Sequence, residues 1–285
     1  MNLTDIQTIK GILRKHNFNF SHSLGQNFII NPEVCPKMAK MSGINKETGV
    51  IEIGPGIGVL TKELAKNTKK VLTVEIDKRL IPVLKDTLSD FKNVEIINQD
   101  ILKLDTKKLI EENFSNIKDI VVCANLPYYI TSPIIMKLFE ENLPIKSITV
   151  MVQKEVAERI CAKVGNKNSS SLTVATNYYS IPELLFEVKK ENFLPAPKVD
   201  SAVIKLNIHD KYKQQVNNEV NFFKIVKASF SQRRKTILNS LANSLNLDKE
   251  TIKSLLEKSD INKNLRAENL TMDQFITLGN SFKID

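Results

Sequence analysis

The sequence has 285 residues, of which 42% are hydrophobic and 26% are charged. This composition is ordinary for a globular protein and excludes a disordered chain, a collagen and a disulfide-stabilised miniprotein. No apolar stretch approaches the roughly 18 residues that cross a bilayer. The N-terminus also lacks the apolar core and cleavage site of a signal peptide. We therefore expect a cytoplasmic protein without membrane-spanning helices.

Lysine and arginine outnumber aspartate and glutamate by 41 to 32, which gives a net charge of +9. Two stretches of the chain, 6–32 and 220–247, contain basic residues and no acidic ones. The cations of the second stretch are Lys224, Lys227, Arg233, Arg234 and Lys235. Such a cluster attracts the phosphates of a nucleic acid, although the same charges can form an ordinary solvated surface.

The cysteines and histidines do not form the spacing of a metal site. Cys35, Cys123 and Cys161 are far apart, and no histidine lies four residues from a glutamate or cysteine. We expect buried or half-buried thiols in a reducing compartment, without disulfides. We also expect no catalytic metal.

The first half of the chain alternates short apolar strands with helical patterns. Strands are predicted over 50–53, 71–76, 94–97, 119–124 and 147–152. Helices are predicted over 57–67, 78–88, 132–141 and 154–164. This alternation predicts βαβ units and a parallel sheet covered on both faces, and such a sheet binds its ligand at the carboxyl ends of the strands.

The pattern changes near residue 210. Two more strands are predicted over 184–188 and 202–208, and a polar linker follows them. Beyond the linker, one apolar stripe at helical spacing comprises Phe223, Val226, Phe230, Ile237 and Leu241. We interpret the chain as an α/β domain over 1–209, which includes an N-terminal arm, and a small helical domain over 210–285.

A glycine-rich loop, EIGPGIG from Glu52 to Gly58, joins the first predicted strand to the helix that follows it. Glycines let the backbone approach a ligand closely, and a helix N-terminus favours negative groups. The spacing is G-x-G-x-G and not the G-x-G-x-x-G of dinucleotide-binding folds. The loop therefore indicates a ligand site without identifying the ligand.

Acidic residues end the next two predicted strands. Glu75 lies 21 residues after Gly54, and a carboxylate at this place offers two oxygens to the two hydroxyls of a ribose. Asp77 competes for this role but fits better as a helix N-cap. Asp100 can accept a hydrogen bond from an exocyclic amino group such as that of adenine. Either acid alone is equally typical of an ordinary strand end, but together they predict a nucleoside site on one rim.

The fourth strand ends in the tetrapeptide Asn125-Leu126-Pro127-Tyr128. The exocyclic nitrogen of adenine is a poor nucleophile because its lone pair is delocalised into the ring. The Asn125 side-chain carbonyl and a backbone carbonyl near Leu126 would hold the hydrogens of that nitrogen and localise its lone pair. Pro127 would fix the backbone, and Tyr128 would offer a flat face for stacking the base. Positioning and preorganised dipoles would then carry the reaction.

Three further segments accompany the loop, the strand-end acids and the NLPY motif. They are LGQNFI at 24–29, FLPAPKVDSAV at 193–203 and FSQRRKTILNSL at 230–241. Taken together, the six motifs resemble the ribosomal RNA adenine dimethylase family, and the last segment resembles its bacterial small-subunit branch. The resemblance covers residues 16–282 and implies a Rossmann-like class I methyltransferase core that uses S-adenosyl-L-methionine.

The resemblance implies a role for individual residues. The cofactor contacts would be Gln26, Asn27, Ile29, Glu52, Gly54, Gly56, Glu75, Asp100 and Asn125. Among them Glu75 would hold the ribose and Asp100 the adenine amino group, and Asn125 would also bind the target nitrogen. Tyr128 and Phe193 would enclose the target base between their rings. The basic residues from Lys224 to Lys235 would bind RNA.

The implied reaction is dimethylation of two adjacent adenosines near the 3′ end of 16S rRNA, on an immature 30S subunit and by a monomer. One alternative is a large-subunit rRNA methyltransferase that confers macrolide resistance, against which the chain length and the basic tail argue. Another is a small-subunit assembly factor that acts mainly by binding. A third, a methyltransferase for small molecules, does not explain the basic tail or the NLPY motif.

Overall fold

The computed structural model describes residues 1–18 and 25–282. In this part of the chain the strands are β1 (Phe28–Ile29), β2 (Thr48–Ile53), β3 (Lys70–Glu75), β4 (Val94–Asn98), β5 (Asp119–Asn125), β6 (Ser147–Gln153), β7 (Ser180–Val188), β8 (Phe193–Leu194) and β9 (Ser201–Ile208). The α-helices are α1 (Ile6–Lys15), α2 (Val34–Ser42), α3 (Val59–Asn67), α4 (Leu80–Thr87), α5 (Thr106–Asn113), α6 (Thr131–Glu140), α7 (Lys154–Ile160), α8 (Ser171–Tyr179), α9 (Glu219–Ser229), α10 (Ile237–Leu245), α11 (Lys249–Lys258) and α12 (Met272–Ser281).

Seven strands form one sheet in the order β4-β3-β2-β5-β6-β9-β7. Strands β2 to β6 are parallel to one another, and β9 pairs antiparallel with β6. The chain places β3 and β4 on one side of β2 and then returns to place β5 on the other side. The switch point therefore lies between β2 and β5, where an open α/β sheet binds its ligand. The predicted parallel α/β core is confirmed.

Two buried clusters of side chains stabilise this sheet and its helices. Every residue of β2 is buried, as is typical of a central parallel strand. One cluster joins α2 and α3 to β2, with Met38, Leu64 and Val50 fully buried. The other joins α1 to α4, with Ile9 and Leu84 fully buried. Helical spacing of apolar residues generates these contacts, because residues three and four apart share one helix face.

The chain divides into two compact units. The N-terminal unit comprises Met1–Ala157 and Glu183–Ile208, and the C-terminal unit comprises Glu158–Pro182 and His209–Asp285. The second junction lies at the boundary predicted near residue 210. The segment Glu158–Pro182 was predicted in the first domain but groups with the C-terminal unit, because α8 packs on α9. The roles assigned to the two predicted domains stay predictions.

Aromatic packing holds the C-terminal unit together. The Tyr178 and Phe222 ring centroids are 5.0 Å apart, and Tyr179 stacks on Phe223 at 5.4 Å. The predicted stripe from Phe223 to Leu241 does not form a single helix face, since α9 ends at Ser229 and α10 begins at Ile237. Phe222 is fully buried and Phe223 is only half-buried.

Four helices lie where none is predicted from the sequence, namely α1, α2, α5 and α8. Each is eight to ten residues long, which is too short for a clear periodic signal. Among the described residues, every helix is too short or too polar to cross a lipid bilayer. The three cysteines are free thiols, and Cys35 and Cys123 are buried.

Candidate active site

A cleft lies at the carboxyl ends of β2 to β5. It brings together most of the predicted site residues: Gln26, Asn27, Ile29, Glu52, Gly54, Gly56, Glu75, Asp100, Asn125, Leu126, Pro127 and Tyr128. The cleft lies at the switch point of the sheet, as the strand order predicts.

The glycine loop forms one wall of the cleft in a conformation that favours glycine. Gly54 and Gly56 have φ values of +69° and +60°. A Cβ atom on Gly56 would also lie 3.3 Å from the Phe28 ring. The Gly54 N–H donates to the Val74 carbonyl at 2.9 Å, which ties the loop to β3. The loop backbone is therefore fixed and unobstructed by side chains at this wall.

Glu75 ends β3 and is 5% exposed. Burial raises the pKa of its carboxyl to about 7, the negative charge of Asp77 adds to this rise, and backbone N–H groups lower it. Glu75 Oε1 accepts a hydrogen bond from the Asp77 N–H at 2.8 Å. Because a carboxylate has several acceptor positions, Glu75 keeps the capacity to accept from a ribose when it is ionised.

Asp100 and Asp77 differ in their relation to the cleft. Asp100 is half-buried, lines the cleft and accepts from the Leu102 N–H at 3.0 Å. Asp77 lies outside the lining and accepts from the Arg79 N–H at 3.0 Å, just before α4 begins. Asp77 thus stabilises the turn before the helix, but the N-cap of α4 is Arg79, so the predicted N-cap role of Asp77 is wrong.

The segment from Asn125 to Tyr128 is held rigidly at the end of β5. The Leu126 N–H donates to the Met151 carbonyl at 3.2 Å, and the Pro127 carbonyl accepts from the Ile130 N–H at 3.3 Å. The Tyr128 hydroxyl lies 2.6 Å from Ser201 Oγ. Burial raises the pKa of Tyr128, so the phenol stays neutral at ordinary pH. Backbone and ring are therefore preorganised before any substrate arrives.

Glu52 borders the cleft, but its side chain is 1% exposed. Burial raises the pKa of this carboxyl to about 7, and the neighbouring hydroxyls of Thr61 and Thr73 lower it. Its Oε2 atom has no hydrogen-bond partner among the described residues. The resemblance implied a cofactor contact, whereas the carboxyl is directed into the protein beneath the glycine loop.

Phe193 lies away from the position that the resemblance implied. It is 3% exposed, belongs to the core cluster of α2 and α3, and does not line the cleft. The reason is the pairing of β1 with β8, in which Ile29 is opposite Phe193. The same pairing holds the described part of the N-terminal arm, residues 25–30, at the cleft. We refer to these residues as the arm.

The sequence analysis missed several residues that line the cleft. Ile76 and Ile101 directly follow Glu75 and Asp100, and Tyr129 directly follows Tyr128. Ile76 is 51% exposed and Tyr129 is 55% exposed. For Ile76 and Ile101 the available signal was an apolar residue directly after a strand-end acid. These side chains offer apolar surface to the flat faces of a base.

The predicted RNA-binding cations lie in the C-terminal unit and are all exposed. Lys224 and Lys227 are on α9, whereas Arg233, Arg234 and Lys235 lie in the turn between α9 and α10. No carboxylate in the described ranges forms an ion pair with any of them. Their charges are therefore accessible to an anionic polymer.

No three histidine, cysteine, aspartate or glutamate side chains are grouped as metal ligands within residues 1–18 and 25–282. The structure thus offers acceptor oxygens, glycine backbone and apolar surface at the cleft. These acceptor oxygens suit an organic ligand whose hydroxyl and amino groups donate hydrogen bonds.

The sequence profile of the ribosomal RNA adenine dimethylase family matches residues 17–283. The chain belongs to this family. Within it, the chain is 50% identical over 280 residues to a ribosomal RNA small subunit methyltransferase A of Bacillus pumilus, covering 97% of this chain and 96% of the relative. A protein of the same description from Clostridioides difficile is 46% identical, and the match covers 98% of this chain and 96% of that relative.

Solved structures of related enzymes share the fold. A dimethyladenosine transferase from Plasmodium falciparum has a TM-score of 0.71 and 29% identity, over 88% of this chain and 95% of that one. The 23S rRNA methyltransferase ErmE has a TM-score of 0.64 and 25% identity, over 89% of this chain and 98% of the ErmE chain. As an rRNA adenine dimethylase, the chain is a methyltransferase with a class I core that uses S-adenosylmethionine.

The residues of the cleft fit this cofactor. Gly54 and Gly56 place backbone with positive φ, and no side chain of their own, along one wall of the cleft. Glu75 and Asp100 provide acceptors at neighbouring strand ends for hydroxyl and amino hydrogens. Apolar side chains at Ile76 and Ile101 flank these acids. The combination matches an adenosine with a polar extension.

Proposed function

We propose that this protein dimethylates N6 of two adjacent adenosines near the 3′ end of small-subunit rRNA, with S-adenosylmethionine as methyl donor. The observation that carries the proposal is the fixed NLPY backbone beside the cofactor cleft, with Leu126 bonded to β6 and Tyr128 bonded to Ser201. The relatives described as small subunit methyltransferase A support the choice of substrate.

The side chains of the cleft bind the cofactor in this proposal. S-adenosylmethionine supplies an electrophilic methyl group when bound. Glu75 would accept from its ribose, Asp100 would accept from its adenine amino group, and the backbone at Gly54 and Gly56 would hold its polar extension. Gln26, Asn27 and Ile29 close the cleft from the arm. Glu52 acts indirectly, because its buried carboxyl lies beneath the glycine loop.

Asn125 and Leu126 activate the target nitrogen. The Asn125 side-chain carbonyl and the Leu126 backbone carbonyl accept hydrogen bonds from the two N–H groups of this nitrogen. These bonds make the nitrogen more tetrahedral and localise its lone pair. Tyr128 stacks on the base, which must leave its helix to enter the cleft. After one methyl transfer the nitrogen keeps a single hydrogen, so one of the two carbonyls must accept a methyl neighbour instead of a hydrogen bond.

The substrate in this proposal is an immature 30S subunit in the bacterial cytoplasm, and the enzyme acts as a monomer. Lys224, Lys227 and the Arg233–Lys235 turn contact RNA phosphates. Such contacts give affinity without selecting a base. Selection therefore depends on the shape of the RNA and on the hydrogen-bonding pattern at Asn125.

The direct test is methylation of unmethylated 30S subunits, followed by digestion and mass spectrometry of N6-methyl- and N6,N6-dimethyladenosine. We expect dimethyladenosine at two adjacent positions of the small-subunit RNA. Product on large-subunit RNA instead would favour the resistance methyltransferase. Absence of product on both, with restored subunit maturation, would favour the assembly factor.

Asn125→Ala tests the role of the strand end. We expect it to abolish methyl transfer and to weaken cofactor binding only in part, because the other cofactor contacts remain. Asn116→Ala, which removes an exposed amide at a distance in sequence from every site motif, is the matched control. Unchanged turnover in Asn125→Ala would contradict the proposed chemistry.

A further inference from the structure

Asp77 is the centre of a network of hydrogen bonds beside the cleft. Its side chain is 4% exposed. Arg79 donates from Nε to Oδ1 at 2.8 Å and from Nη2 to Oδ2 at 2.7 Å. A bidentate pair of this kind fixes both partners in one geometry. These bonds lower the pKa of Asp77, which is therefore ionised at neutral pH.

The same ion pair contacts the N-terminal segment at two places. Gln26 Nε2 in the arm donates to Asp77 Oδ2 at 2.9 Å. The Arg79 guanidinium lies 5.2 Å from the centroid of the Phe18 ring, within the range of a cation–π contact. Phe18 and Gln26 stand on either side of residues 19–24, which are outside the described part. Both flanks of that segment thus meet one pair of side chains.

On its other side Asp77 meets the acid assigned to the ribose. The Asp77 N–H donates to Glu75 Oε1 at 2.8 Å. A single residue therefore touches the arm through its carboxylate and the ribose-binding carboxylate through its backbone. Sequence motifs separated by some 50 residues are connected here by two hydrogen bonds.

We propose that the Asp77–Arg79 ion pair is a positioning device that holds the arm against Glu75 and thereby sets the affinity for S-adenosylmethionine. The inference rests on the proposed roles of Glu75 and the arm in binding that cofactor. Asp77 and Arg79 do not line the cleft, so they act through the residues that do. Holding the arm before binding removes the conformational cost of ordering it.

The ion pair also controls the charge that faces Glu75. The charge of Asp77 in the same turn raises the pKa of Glu75, and the charge of Glu75 in turn raises the pKa of Glu52 on β2 and of the Tyr129 phenol. Arg79 neutralises Asp77. Loss of Arg79 would leave Asp77 unpaired and raise the pKa of Glu75, whereas loss of the Asp77 charge would lower it. The two losses therefore have opposite effects on Glu75.

The test is titration of the full-length protein with S-adenosylmethionine by calorimetry between pH 6 and pH 9. At pH 8.5, where Glu75 is ionised, we expect Asp77→Asn to weaken binding about tenfold, as expected for a lost hydrogen bond to a charged group. Below that pH, wild-type binding should weaken with a midpoint near 7, the pKa of Glu75. Asp77→Asn should lower this midpoint, and Arg79→Gln should raise it.

Further variants separate positioning from a general loss of structure. Gln26→Ala should weaken binding without moving the midpoint, because it changes no charge. Combined with Asp77→Asn, it should add little, since both remove one contact. Hydrogen exchange of the arm should increase in Asp77→Asn and Gln26→Ala. Asp86→Asn is the matched control, because Asp86 pairs with Lys15 at 2.7 Å and ties α1 to α4 away from the cleft. This variant should change neither the affinity for S-adenosylmethionine nor the pH midpoint of binding.

The outcomes distinguish this inference from the proposed function. Failure of the wild type to bind S-adenosylmethionine would overturn the proposed function. If the wild type binds and Glu75→Gln binds equally well, the role of Glu75 is wrong. If Glu75→Gln weakens binding but Asp77→Asn and Arg79→Gln change neither the affinity nor the midpoint, the positioning role alone is overturned. Midpoints that move in the same direction for both variants would also contradict it.

Discussion

Two buried carboxyl groups, Glu52 and Glu75, lie beside the cleft, and burial raises the pKa of each to about 7. Their surroundings differ. Glu75 accepts a backbone N–H and is one of the cleft-lining residues. Glu52 Oε2 has no hydrogen-bond partner within the described ranges. Glu75 is predicted as a binding residue from its place at a strand end and Glu52 from the family resemblance, and only their hydrogen-bond partners in the structure distinguish the two carboxyl groups.

The buried Glu52 makes stability depend on pH. Its pKa is 4.5 in the unfolded chain and about 7 in the folded one, so the unfolded state binds fewer protons between these values. The free energy of unfolding therefore falls as the pH rises from 4.5 to 7. Above pH 7 the Glu52 carboxyl causes no further change. We expect Glu52→Gln to remove this loss and to be more stable than the wild type by about 3 kcal/mol at pH 8.

Urea denaturation at pH 4.5, 6 and 8 measures this difference. It should be near zero at the lowest pH and grow through the interval. Glu111→Gln, which alters an exposed carboxyl on α5, is the control and should be neutral at every pH. A difference between Glu52→Gln and the wild type that does not depend on pH would show that Glu52 is not buried in its neutral form.

At the scale of elements, the glycine loop and the NLPY segment were predictable because local chemistry defines them. Positive φ values at Gly54 and Gly56 follow from the tight turn between β2 and α3. The position of Phe193 was not predictable, because it follows from the pairing of β1 with β8 over 163 residues of intervening sequence. Short helices such as α2 and α8 were missed for a different reason: tertiary packing and not periodicity stabilises them.

Helix packing in the C-terminal unit depends on a glycine. A Cβ atom on Gly279 of α12 would lie 3.2 Å from the Phe222 Cα atom on α9. Because that neighbour is backbone, the two helices would have to separate. We expect Gly279→Ala to destabilise the protein by about 1–3 kcal/mol while leaving the affinity for S-adenosylmethionine unchanged.

Thermal unfolding with a cofactor titration tests this expectation. Gly11→Ala is the matched control, since Gly11 lies inside α1 and a Cβ atom there would meet no atom within 4 Å. It should be neutral or stabilising by up to about 1 kcal/mol, as alanine favours a helix interior. Equal stability of the two variants would contradict the close approach of α9 and α12.

At the scale of the whole molecule, the net charge of +9 matters less than its distribution. Lysines of the N-terminal unit often pair with acids, as Lys70 does with Glu95 at 2.9 Å. The cations from Lys224 to Lys235 are exposed and form no ion pair with a described carboxylate. A contiguous set of unpaired charges is what an RNA backbone requires.

Five such contacts with single-stranded RNA predict a slope of about −3.5 in a plot of log affinity against log salt. Replacing Arg233, Arg234 and Lys235 by alanine should reduce the slope by about 2, weaken RNA binding and leave cofactor affinity unchanged. Filter binding of RNA between 50 and 200 mM salt measures this slope. Replacement of Lys249, Lys253 and Lys258 on α11 removes the same charge from the same unit and should alter the slope little. Equal slopes for both triple variants would exclude a specific RNA contact at the turn.

The sequence by itself determined the α/β class, the positions of the core strands along the chain, the strand ends that form the cleft and the family. These depend on local patterns: apolar runs, turn glycines and polar residues immediately after a strand. Only the tertiary structure decided that Glu52 is buried, that Phe193 lies in the core, that Glu158–Pro182 groups with the C-terminal unit and that Asp77 joins Gln26 to Glu75. These depend on contacts between residues distant in the chain, whose energies no local pattern records.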